Sequence, residues 1–240
     1  MKLPINKKFI ALSSLLLVTA FGFSQSAAKQ AFQASMFHND ISSQAILQKN
    51  MARVLKANIE GTPYYDEGFN SANIAPINKV FMVRYNVALD VMEVIQQSDT
   101  VVMNKANRNY IIKQNKGNLV YKILQNIESE KEDKLGYYIQ LTNGKNVKLY
   151  RKDRKKFVKV KRAAYGSINA SSAKYKEQKS EYYIEYGDSG SAVKLPRNKK
   201  AVIKLFASKE KEVKAFIKKN KIKVTKERDL EKLINYVNSL

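Results

Sequence analysis

Residues 137–161, YYIQLTNGKNVKLYRKDRKKFVKVK, constrain this chain more than any other stretch. Tyr137, Ile139 and Leu141 alternate with Tyr138, Gln140 and Thr142, and the alternation resumes after Asn143-Gly144 with Val147 and Leu149. A period of two is the signature of a half-buried strand, so this is a β-hairpin. Asn-Gly commonly marks a two-residue type I′ loop. That loop would pair Leu141 with Asn146 and Ile139 with Lys148, which puts the two apolar sets on opposite faces. A one-residue slip moves every side chain of a strand to the other face. A three-residue loop, Thr142-Asn143-Gly144, with positive φ at Gly144, keeps one apolar face and predicts Ile139 opposite Val147 and Tyr137 opposite Leu149. The charged run at 151–154 then reads as a turn into a third strand over 157–161.

The chain opens differently. Lys2, Lys7 and Lys8 precede an apolar run from Phe9 to Phe23, followed by Gly22 and Ser24 as small residues. This is the order of a secretory signal peptide, with cleavage expected after Ser24 or, as the alternative, after Ala28. The run is shorter than the roughly 20 apolar residues a membrane-spanning helix needs, so no span is expected after cleavage. No cysteine is present, so neither disulfide nor cysteine-linked lipid is available and the core must suffice. The expected location is the periplasm or the outer membrane, with secretion as the further option.

Forty-four basic against 21 acidic residues give a net charge of +23. A balance of this kind favours polyanionic partners. For an exported chain the expected partners are an anionic glycan, a lipid headgroup or another envelope protein, and not nucleic acid. The competing reading is that the lysines merely keep strand edges soluble and unpaired.

Residues 25–60 read as a polar leader followed by an ambiguous helix or strand. Gly61-Thr62-Pro63 marks a turn. From there to residue 206 the expectation is an antiparallel β domain, with strands at 79–87, 91–95, 100–104, 109–114, 118–125, 181–186, 191–195 and 201–206 beside the hairpin. Residues 128–133 are a solvated acidic loop, and 163–180, rich in Ala, Ser, Gly and Lys, a long flexible loop and a place to look for binding. At 207–240 the period changes. Val213, Phe216 and Ile217, then Leu230, Leu233, Ile234 and Val237, recur at helical spacing, with Ser208 and Thr225 as N-caps. The predicted fold is therefore mainly β, about ten antiparallel strands in a meander or open barrel, with a C-terminal α-helical hairpin packed on the sheet or on a partner.

Gly61-Thr62-Pro63-Tyr64, then Arg84-Tyr85-Asn86 with Asp90, Met92 and Glu93, and finally Leu233-Ile234-Asn235-Tyr236 behind lysine-rich helices, resemble a group of exported β-rich proteins of Gram-negative bacteria. The resemblance implies export and a similar architecture, and brings no catalytic residue with it.

Chemical motifs are few. Gly187-Asp188-Ser189-Gly190 looks like the surround of a serine-protease nucleophile, which requires a histidine base. The single histidine, His38, lies in the leader, so Gly, Asp and Ser read better as turn residues. Without cysteine, and with no calcium-ligand spacing, no metal and no cofactor is expected. Asp90 with Glu93, and Glu181 with Glu185, are the carboxylate pairs that a hydrolase or an oxygen-liganded ion would use. Asn169-Ala170-Ser171 matches a glycosylation sequon, relevant only in a eukaryotic secretory pathway. The remaining signal is tyrosine on basic strands: Tyr138, Lys148, Tyr150, Lys159, Lys161 and Tyr183 form the expected binding set, with rings stacking on a ligand while ammonium groups pair with its anion. A non-enzymatic envelope protein binding an anionic component is the leading expectation. The alternatives are a lipid or lipoprotein carrier with a curved sheet and a carboxylate-based hydrolase.

Overall fold

The computed structural model describes residues 59–97, 99–129, 134–159 and 172–240. The expected signal peptide, nearly all of the expected leader, His38, Asn169 and Lys161 lie outside them. The described chain is mainly β, with ten strands and a C-terminal helical layer. In order these are β1 (Asn70–Ala75), β2 (Lys79–Asn86), β3 (Val91–Gln96), β4 (Asp99–Val102), β5 (Ile111–Gln114), β6 (Val120–Asn126), β7 (Leu135–Gln140), β8 (Val147–Val158), β9 (Lys174–Tyr186) and β10 (Ser191–Lys194). The helices are α1 (Lys199–Lys204), α2 (Glu210–Lys219) and α3 (Glu227–Ser239).

All ten strands join in one sheet of order β10-β9-β8-β7-β6-β5-β1-β2-β3-β4. Strands β6 to β10 curl into a partial barrel, because β10 pairs antiparallel with β9 and also parallel with β6 through Ser191↔Gln125 and Ala192↔Asn126. The other five strands extend from β6 as an open wing. The meander breaks once, where β5 returns to pair with β1 rather than with β4.

Helical periodicity at the C-terminus places its apolar stripe as expected. Val213, Ile217, Leu230, Leu233, Ile234 and Val237 pack on Val147, Leu149 and Ile184, the outward face of β8 and β9. Phe216 stacks on Tyr236 with ring centroids 4.0 Å apart, locking α2 to α3. Neither expected cap is used: Lys209 and Lys226 occupy the N-cap positions without a side-chain bond. Asp229 instead accepts from the Lys223 amide.

Five sequence readings change. The hairpin register is Ile139↔Arg151 and Gln140↔Tyr150, four residues from the expected one. The even shift preserves the faces, so the parity argument stands while the three-residue loop does not. Asn238 of α3 accounts for the difference. Its Oδ1 accepts from the amides of Asn146 and Val147, and its Nδ2 donates to the Val147 carbonyl. A side chain thus takes the backbone groups that β7 would have taken. Gly144 lacks the expected positive φ; it is needed because a Cβ there would collide with Asn238.

Residues 151–154 form no turn, since β8 runs unbroken for 12 residues with a β-bulge between Lys152 and Arg154. The expected loop at 163–180 contains the first half of β9, which starts at Lys174. Residues 201–206 are helical rather than extended: Asn198 Oδ1 caps α1 through the Ala201 amide, and Val202, Ile203 and Phe206 join the helical core. Burial of that face overrides the β-propensity of the valine and isoleucine. Finally, β1 was not anticipated, because Asn and Ser at alternate positions hide the Ala72 and Ile74 that it buries.

Candidate functional site

Tyr138, Tyr150 and Tyr183 do not form a surface platform. They fill the partial barrel together with Leu124 and Ala192, with the Tyr138 ring 5.0 Å from Tyr183 and 6.5 Å from Tyr150. Burial raises all three phenols, that of Tyr183 to about 12. Lys148 is also buried, its Nζ 2.5 Å from Asp188 and 3.1 Å from the Gly187 carbonyl. Lys159 is exposed just beyond the end of β8.

The chemistry gathers instead at the mouth of the barrel. Asp90 sits at positive φ (57°) in the β2–β3 turn, where its carboxylate accepts from Tyr85 Oη at 2.6 Å, Tyr137 N at 3.2 Å and Lys152 Nζ at 2.7 Å. Lys152 is 4% exposed. It also donates to the Tyr137 carbonyl and lies 4.4 Å from the centre of the Tyr138 ring. Gly136 makes room for the pair: a Cβ there would strike Lys152 Nζ and approach Asp90 Oδ2 to 2.8 Å. Burial alone would raise the Asp90 carboxyl, but the Lys152 and Lys105 ammonium groups outweigh it and hold the group below the usual range. Burial lowers Lys152, and the repulsion of Arg154 and Lys105 adds to it.

Around this pair opens a cleft of about 330 Å³. Its walls carry Lys105, Lys134, Lys152, Arg154, Lys155 and Lys156 against Asp90 and Asp153, and the surplus of cations makes it an anion site in electrostatic character. Arg154 is anchored on Glu181 at 2.6 Å, and Glu181 also pairs with Lys194. Lys105 is positioned by the Leu135 carbonyl at 3.2 Å. Lys134 and Lys156 are exposed at the rim.

The sequence reading missed these residues because it placed a turn at 151–154. A continuous strand of period two carries Lys148, Tyr150, Lys152 and then, past the bulge, Arg154 and Lys156 along one face. That signal was present in the alternation.

Tyr64, Arg84, Asn86 and Glu93 converge nearby on β2 and β3. Arg84 donates to Glu93 through Nε (3.0 Å) and Nη2 (2.7 Å), reaches Tyr64 Oη, and lies over the Tyr64 and Phe69 rings. Asn86 donates to the other Glu93 oxygen. Asp90 and Glu93 are therefore each held by their own cation. Glu185 accepts from Tyr150 Oη and the Gly190 amide, separate from the Glu181 ion pairs. Neither carboxylate pair shares a partner: Asp90 and Glu93, like Glu181 and Glu185, each bond separate donors. Among the described residues no group of three or more Asp, Glu, His or Cys is placed to hold a metal ion.

Residues 187–190 turn the chain from β9 into β10, with Gly187 and Gly190 at positive φ. Ser189 Oγ accepts from the Ser191 amide and Asp188 pairs with Lys148 and Lys122. These are the bonds of a turn. No helix of the described residues is long and apolar enough to cross a membrane. No protein-family model matches this chain, and no curated protein or solved structure is significantly similar to it.

Proposed function

We propose that this chain is an exported, non-enzymatic envelope protein that binds an anionic component in the cleft at the barrel mouth. One observation carries the reading: Lys105, Lys134, Arg154 and Lys156 line one concavity around the buried Lys152–Asp90 pair, which leaves the cations in excess. Arg154 and Lys105 are held in place by Glu181 and the Leu135 carbonyl, so they lose little entropy on binding. The positive leader followed by an apolar run supports export. The carrier alternative needs a contiguous apolar cavity, whereas the barrel interior is filled by tyrosines and the cleft is lined by charge.

The test is titration of the full chain with a short oligogalacturonate at low and high salt, beside the Lys105→Ser/Lys134→Ser variant. Binding at low salt that weakens with salt, and falls on the order of tenfold in the double variant, is expected from the loss of two cation contacts. Absence of binding at low salt, or binding indifferent to the two substitutions, would overturn the reading.

A further inference from the structure

The cleft does not end at its rim. Past the bulge, β8 and β9 continue as a two-stranded ribbon paired Arg154↔Gln178, Lys155↔Glu177, Lys156↔Lys176, Phe157↔Tyr175 and Val158↔Lys174. Directly paired residues lie on the same face, so one face carries Arg154, Lys156, Lys174 and Lys176 with Gln178 and Val158, four cations against the one carboxylate of Glu60, which is β-bridged to Lys174 at the outer edge of β9. Arg154, Lys156 and Gln178 line the cleft itself. The cationic face of the ribbon and the wall of the cleft are one surface.

The opposite face is already occupied. Phe157 and Tyr175 pack on each other there at 5.2 Å, and Lys155 Nζ reaches the Thr62 carbonyl, while the Glu60 backbone bonds Ala173 and Tyr175 along the outer edge of β9. Lys155 and Glu177 pair on that side. Lysines 156 and 176, by contrast, stand directly opposite each other as like charges, an arrangement that destabilises a sheet. An anion laid across them relieves that repulsion.

We infer that the ligand is a linear polyanion, an acidic glycan of the envelope, which lies along the ribbon face with one anionic unit seated in the cleft. Cations repeat at about 7 Å along each strand, with neighbouring strands about 5 Å apart, a spacing suited to a chain with a charge on each sugar-sized unit rather than to a single small anion. A bilayer surface fits less well, because the aromatic pair that would enter the headgroup layer is turned away from the cations. The inference rests on the cleft being an anion site.

The experiment compares a short and a long oligogalacturonate, and anionic phosphatidylglycerol vesicles, on the full chain and on Lys174→Ser/Lys176→Ser, which leaves the cleft lining intact. The expected result is unchanged affinity for the short oligomer, a loss on the order of tenfold for the long one and a shallower dependence of its affinity on salt. Equal binding of the long oligomer by wild type and variant overturns the ribbon track and leaves the cleft reading standing. Failure of both oligomers to bind overturns the two together. Vesicle binding tighter than that of the long oligomer, lost in the same variant, overturns the glycan in favour of a membrane surface. Far-UV circular dichroism of the variant, expected to match wild type, reports whether the ribbon remains folded.

Discussion

Gly136 is the residue on which the buried ion pair depends. Any side chain there occupies the space of Lys152 Nζ, and displacing one partner of a buried pair leaves a charge uncompensated. Gly136→Ala is therefore expected to destabilise the protein by about 2 kcal/mol in urea unfolding, with Gly68→Ala, where a Cβ would meet only Asp66 Oδ1 at 3.8 Å, as the milder comparison. Glu181 makes a pH prediction. Burial pushes its carboxyl up, but hydrogen bonds from Lys194 and Arg154 and their charges outweigh this and bring it down to about 2 from the ordinary 4.5. A carboxylate depressed on folding stabilises the native state fully above its ordinary value and loses that contribution as pH falls toward the folded value. Since the pair is partly solvated, the contribution is about 1 kcal/mol. Glu181→Gln should cost about that much at neutral pH and flatten the decline in stability below pH ~4.5, as measured by thermal unfolding across the acid range.

At the scale of the element, α3 does more than cover the sheet. Asn238 completes the hydrogen bonding of the strand end at Asn146 and Val147, and its Nδ2 also bonds the Ile234 carbonyl of its own helix. Asn238→Ala leaves two amides and a carbonyl without these partners. The expected cost is about 2 kcal/mol, with faster hydrogen exchange at the Asn146 and Val147 amides and little change in β6. Unchanged exchange at those amides would show that β8 starts independently of the helix. A second contact ties the same helix to the site: Glu227, in its first turn, accepts two bonds from Arg151 Nη1, and Arg151 Nη2 reaches Tyr65. The helical hairpin thereby holds the strand that carries Lys152 and Arg154.

Across the whole molecule, barrel and helices share one apolar layer. Leu233 is fully buried in the cluster that joins α2 and α3 to Val147, Leu149 and Ile184, so Leu233→Ala is expected to cost about 3 kcal/mol. Circular dichroism of the helices and tyrosine fluorescence of the barrel should then lose their signals at one common, lowered midpoint. Two separate midpoints would mean that the helical layer folds on its own. Much of this architecture was legible in the alternation of residues 79–126 and 137–150 and in the stripe at 213–237, because local periodicity reports which face is buried and needs no knowledge of the partner. The same logic fixed the parity of the β7–β8 pairing. What the sequence could not determine were the matters settled by distant residues: a register set by Asn238, a helix at 199–204 drawn into the helical core, and a closure of β10 onto β6. The candidate site was divided in the same way. Its cationic character was written in the composition, but its place was not, since which tyrosines became core and which lysines faced a cleft depended on a bulge and a barrel that only the assembled sheet creates.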